Sequence, residues 1–161
     1  MPIQPGDPLP DVSLAVIGGQ RSPASTRALL GTGKTVLFAV PGAFTPTCSN
    51  RHLPGYVAQM AAFRARGITV ACLAVNDAHV LKAWAEAQQV PPDLLMLADG
   101  NGEFTAALGL ALDGSRYGMG LRARRFALYA QDGVVIWLDA EAPGELRVST
   151  AEAVLARLDA H

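Results

Sequence analysis

Cys48 is the residue of this sequence best placed to do chemistry. It closes the segment P-G-A-F-T-P-T-C (Pro41–Cys48), just after the apolar run TVLFAV (Thr35–Val40) and at the start of a stretch with helical periodicity. The first backbone N–H groups of a helix lack intrahelical partners and carry partial positive charge. A thiol set against them gives up its proton more readily, and the thiolate is the nucleophile. Thr45, three residues earlier, carries a hydroxyl that can reach the sulfur or cap the turn. Pro46 stiffens the loop and removes one donor. Pro41 and Phe44 are apolar and expected to screen the sulfur from water. Backbone N–H groups near Thr47 and Cys48 would complete a cradle for a small electrophile. Position alone leaves open a plainer reading, a half-buried cysteine at a helix start with no chemistry.

Other reactive side chains are fewer. His52 lies four residues after Cys48, so both fall on one helix face. A cysteine–histidine pair is the start of a hydrolytic site, but no third residue marks itself as the orienter, and packing or hydrogen bonding beside the pocket is the simpler role for His52. Cys72 sits inside the apolar stretch ITVACLAV (Ile68–Val75) and reads as a core residue. A cysteine in a buried central strand cannot be brought to Cys48 without large unfolding, so no routine Cys48–Cys72 disulfide is expected. His79 and His161 are isolated, and two separate histidines do not make a metal site. Arg122, Arg124 and Arg125 form a cluster that, taken alone, reads as a solvated charged face.

The elements that must position these groups follow from hydrophobic spacing. Residues 1–34 are rich in turn formers and predict loops with a short edge strand or hairpin at VSLAVI. Thr35–Val40 and Ile68–Val75 predict buried strands. Between them Leu53, Tyr56, Val57, Met60 and Phe63 predict a helix from about Thr47 to Arg66, kinked by Pro54 and stopped by Gly67. Asn76 or Asp77 caps a helix to about Gln89. LLML (Leu94–Leu97) is a further strand, and a brief helix follows around Phe104–Leu108. Arg125–Ala130 and Val134–Asp139 flank Gln131-Asp132-Gly133 and predict a hairpin. Ser149 or Thr150 opens a last helix through Leu158, with Glu152 placed for a capping box. This order predicts one α/β domain over residues 1–161, a mixed sheet with helices on its faces and a parallel first crossover.

The segment Pro41–Cys48 resembles the peroxiredoxin signature, in which Pro, Thr and Cys fall at this spacing. Its extension C-S-N-R-H-L-P-G-Y (Cys48–Tyr56) resembles the type-five, or type II, subfamily. A-C-L-A-V-N-D (Ala71–Asp77), L-L-M-L-A-D (Leu94–Asp99) and R-F-A-L-Y-A-Q-D-G-V-V (Arg125–Val135) extend the likeness from about residue 2 to 158. The resemblance implies a thioredoxin-like fold and a thiol-dependent peroxidase with Cys48 as peroxidatic cysteine. It implies that Thr45 hydrogen-bonds the peroxide and the thiolate, that Arg125 stabilises thiolate and transition state, and that Pro41 shields the site. Arg122 and Arg124 keep their plain reading. Some type-five relatives carry a resolving cysteine near the C-terminal loop. Val148 stands where it would fall, so a one-cysteine mechanism is expected. Its reductant would be external: glutathione with glutaredoxin, less readily thioredoxin. A homodimer is a further implication, and no metal, haem or flavin is called for.

Composition agrees with a folded domain. Of 161 residues half are hydrophobic and 17% are charged, and the net charge of −1 gives no basic footprint for nucleic acid. No apolar run approaches the roughly eighteen residues of a membrane span, and the N-terminus lacks the pattern of a secretory signal, so a cytoplasmic location is expected. Two alternatives share the fold. A thiol–disulfide oxidoreductase would need a second cysteine where Thr45 stands. A redox sensor would use oxidation of Cys48 as a signal without turnover.

Overall fold

The apolar runs form the middle of one sheet, and this places Cys48 and Arg125 side by side. The computed structural model describes residues 1–19 and 22–160, so His161 lies outside the described residues. The chain opens with β1 (Ser13–Ile17), β2 (Ala24–Ser25) and α1 (Thr26–Leu30). β3 (Lys34–Ala39) leads through the Pro41 loop into a π-helical turn, Cys48–His52, continued by α2 (Leu53–Ala58) and α3 (Met60–Ala65). Then come β4 (Ile68–Ala74), α4 (Ala78–Ala87), β5 (Leu94–Ala98) and α5 (Glu103–Leu108). β6 (Ala111–Asp113) and β7 (Leu121–Ala123) form a small separate ribbon around a 3₁₀ turn, Ser115–Tyr117. β8 (Phe126–Gln131), β9 (Val134–Ala140) and α6 (Ala151–Ala160) complete the chain.

The main sheet has seven strands in the order β2-β1-β5-β4-β3-β8-β9. β3, β4 and β5 are parallel neighbours, and β8 runs antiparallel to β3. This is the mixed sheet with a parallel first crossover that the element order predicts. Alternate residues of each central strand serve two cores. Val36 and Phe38 of β3, with Val70 and Cys72 of β4, join Leu53, Tyr56, Phe63, Leu81 and Trp84 in one apolar cluster. Leu37, Ala71 and Leu73 join Leu30, Phe104, Leu108 and Phe126 in the other. Both faces are therefore covered, which is why these strands read as unbroken apolar runs.

Turn chemistry fixes the hairpin. Asp132 and Gly133 both have positive φ (51° and 78°), as a two-residue type I′ turn requires. The Asp132 carboxylate also accepts from the Gly33 N–H at 2.8 Å, tying the hairpin tip to the start of β3. Asp77 caps α4 through a 2.9 Å bond from the Val80 N–H. At α6 the cap is Thr150, whose hydroxyl oxygen accepts from the Ala153 N–H at 3.1 Å. Ser149 is not the cap, because its hydroxyl donates to Glu141. Glu152 therefore stands one residue short of the capping-box position.

The helix expected from Thr47 to Arg66 is broken twice. Pro54 has no N–H to offer the Asn50 carbonyl, and the chain widens just before it: the Leu53 N–H reaches the Cys48 carbonyl, five residues back. A second break falls at Gln59, between α2 and α3.

Candidate active site

Register brings the catalytic candidates together. Ala39, at the end of β3, pairs with Phe126, at the start of β8. Arg125 therefore stands beside the strand end that feeds the Pro41–Cys48 loop, although it lies 77 residues from Cys48 in sequence. The loop is pinned from β4's end, where the Asn76 side-chain oxygen accepts from the Ala43 N–H at 2.9 Å. The Ser49 N–H donates to the Thr45 carbonyl at 2.9 Å, closing the first helical turn. Thr47 and Cys48 then fall among the leading residues whose N–H groups have no intrahelical acceptor, and Pro46 has none to leave unpaired.

Cys48 is fully buried. One Arg125 N–H donates from Nη2 to the Cys48 sulfur at 3.1 Å. A second donates from Nη1 to His52 Nδ1 at 2.7 Å. A guanidinium can only donate, so Nδ1 must be the acceptor and the His52 proton sits on Nε2. That Nε2–H donates to the Ser149 carbonyl at 2.9 Å, and the Tyr56 hydroxyl donates to the same oxygen at 2.8 Å. Burial first, then the Arg125 charge, push the His52 pKa down to about 4, against weaker upward pulls from Ser149 and Glu141. His52 is thus a neutral, fixed acceptor. Both ring nitrogens are engaged, so it is no general base for Cys48, and the hydrolase reading loses its second member. Stacking holds this wall in place: the Phe38 and Tyr56 rings lie parallel at 3.7 Å, with His52 tilted against both.

Thr45 lies in the loop before Cys48, and its hydroxyl donates to the Gly42 carbonyl at 2.7 Å rather than to the sulfur. Its oxygen lone pairs stay available to accept from a peroxide hydroxyl. Pro41, Thr47 and Arg125 line an open pocket with Leu112, Arg124 and Glu141. Phe44 does not line it. It is 55% exposed, with φ of 62°.

Arg122 is also more than a solvated charge, since its Nε donates to the Met119 carbonyl at 2.9 Å and anchors the β6–β7 ribbon. Cys72 is buried in β4 opposite Phe38 and Met96. Burial, then proximity to Cys48, push its thiol well above the ordinary range, against a downward pull from Arg125. Sequence reasoning gave His52 no defined partner, read Ser149 only as a candidate helix cap and missed Glu141 altogether. The one available signal was the helical spacing of Cys48 and His52.

Comparison with known proteins shows the family and the fold. The Redoxin family profile matches residues 4–155. The chain is 44% identical to the chloroplastic peroxiredoxin-2E of Arabidopsis thaliana over 97% of its own length and 69% of the relative's. It is 43% identical to peroxiredoxin-2C of Oryza sativa, over 98% and 99% of the two chains. Its fold superposes on reduced Prx3 of Vibrio vulnificus in complex with hydrogen peroxide with a TM-score of 0.90, at 46% identity over 98% and 96% of the chains. The architecture is therefore thioredoxin-like, and the chain belongs to the Redoxin family, among the peroxiredoxins.

Proposed function

We propose that this protein reduces hydroperoxides by a one-cysteine cycle on Cys48, with glutathione and glutaredoxin as the reductant. The Arg125 guanidinium, 3.1 Å from the Cys48 sulfur, carries the reading. A permanent cation at that distance favours the thiolate and stays in place for the negative charge that grows on the departing oxygen. The peroxide enters between Pro41, Thr47 and Arg125. Thr45 accepts from its hydroxyl, and unpaired N–H groups at the helix start help to hold it. The sulfur attacks the terminal oxygen, the O–O bond breaks, and the alkoxide leaves with a proton as alcohol or water. Cys48 is left as a sulfenic acid. A first thiol displaces water to give a mixed disulfide, and a second releases Cys48 as a thiol and leaves as the disulfide.

The absence of a resolving partner in sequence supports the one-cysteine form. Val148 occupies the loop position where such a residue would fall, and Cys72 is enclosed in the sheet. An external thiol then has to supply both electrons. A reducing, cytoplasmic setting suits that demand. A homodimer is part of this reading: exposed Phe44, Tyr117, Leu121 and Val148 offer apolar surface that a second copy would cover.

The test is stopped-flow mixing of reduced protein with hydrogen peroxide, followed by turnover with glutathione–glutaredoxin or thioredoxin. Wild type should consume one equivalent of peroxide rapidly and turn over faster with glutaredoxin, and Cys48→Ser should do neither. Faster turnover with thioredoxin would overturn the assigned reductant. Oxidation without turnover by either donor would favour the sensor reading.

A further inference from the structure

Glu141, the first residue after β9, is bound to Arg125 by two routes. Its backbone N–H donates to the Arg125 carbonyl at 2.9 Å. Its carboxylate accepts from the N–H groups of Arg147, Val148 and Ser149 at 2.8–2.9 Å, and from the Ser149 hydroxyl at 2.6 Å. The carbonyl of that same Ser149 receives His52 Nε2–H, and His52 Nδ1 receives the Arg125 side chain. The circuit leaves from the Arg125 main chain and returns at its guanidinium.

Glu141 also lines the pocket that Arg125 lines. A carboxylate there would ordinarily take the guanidinium in a bidentate pair, the strongest bond either group can make, and draw it off the sulfur. Here the loop's donors already occupy both carboxylate oxygens. Burial works against the charge, but the bonds from Ser149, Arg147 and Val148 outweigh it, and the carboxyl is held below its usual range.

We propose that Glu141 is a positioning residue for peroxide reduction: clamped by residues 147–149, it sets His52, and through it the Arg125 guanidinium, on the Cys48 sulfur. This rests on the reading of Cys48 and Arg125 as the reacting pair. Residues 141–149 then act as more than a connection to α6, since the carboxylate bonds of the loop decide where the Arg125 charge points. The Glu141 carboxylate acts through residues 147–149, to which its hydrogen bonds run, and not by a bond to the Cys48 sulfur.

Two readouts test this. One is the pH dependence of Cys48 alkylation by iodoacetamide, resolved by peptide mass spectrometry, which needs no peroxidase activity. The other is the second-order rate with hydrogen peroxide. Glu141→Gln keeps the size but points an amide N–H at the loop's donors. Its alkylation profile should move to higher pH and its peroxide rate should fall by about tenfold. Ser149→Ala removes one donor and leaves the backbone intact, so the same changes should appear at smaller size, and it decides the matter if Glu141→Gln does not fold. A purely structural role would lower the melting temperature and leave the alkylation profile of the folded variant unmoved, and that result would overturn the proposal. If wild type consumes no peroxide, the function above fails, while the alkylation profiles still judge Glu141.

Discussion

Three side chains divide the work around one sulfur. In the proposed reaction Cys48 supplies the nucleophile, Arg125 the charge, and His52 the acceptor that holds the charge in place. A neutral histidine suits this task because it binds a guanidinium without cancelling its charge, as a carboxylate would. His52→Leu keeps much of the volume and removes the acceptor. A hydrogen bond to a charged group is worth about 1.5–3 kcal/mol, so the peroxide rate of this variant should fall roughly tenfold or more, measured by stopped flow. Cys48 could be singled out from sequence because its signals are local: a strand, a Pro-Thr loop and a helix start. Arg125 could not be singled out from its own neighbours, where three arginines cluster, and needed the family likeness. Glu141 gave no signal and Ser149 only that of a helix cap, because their roles exist in bonds that close across the fold.

At the scale of elements, the long apolar strands and the Asp-Gly hairpin were readable because burial and turn geometry leave few options. The helix after Cys48 was readable in extent but not in form. Pro54 announces a disturbance, and only the structure shows that it takes the form of a π turn reaching back to Cys48. α1 and the β6–β7 ribbon are too short to give a periodic signal. The α4 cap offers an independent check on the local reading. Asp77→Ala removes the acceptor of the Val80 N–H, and loss of such a cap costs about 1 kcal/mol. Urea unfolding should show a lower midpoint with an unchanged m-value and little change in peroxide rate.

For the whole molecule, the sheet order is what makes the site, since β8 beside β3 brings the two halves of the chemistry together. The same burial makes stability depend on pH. His52 titrates near 6.5 when unfolded and at about 4 in the fold. Between those values the unfolded chain binds the extra proton, so stability falls as pH drops through that window and levels off below it. A shift of this size corresponds to roughly 3 kcal/mol. Glu141, also held down in the fold, adds a further loss as pH falls below the ordinary carboxylate range. Urea midpoints should therefore decline from neutral pH toward pH 4, and His52→Leu should flatten the upper part of that decline. An unchanged slope in this variant would mean that His52 is not the titrating group.

In the proposed mechanism the Arg125 guanidinium, and not merely a positive charge, activates Cys48. The most direct measurement is the second-order rate of hydrogen peroxide with reduced wild type and with Arg125→Lys at neutral pH. Lysine keeps the charge but cannot hold His52 and the sulfur in one rigid fork, and loss of such a preorganised donor costs about a hundredfold or more. A drop of that size with an intact fold is the result expected if the guanidinium itself activates the sulfur. A lysine variant that reacts as fast as wild type would mean that a positive charge alone suffices and that the fork on His52 and the sulfur plays no part.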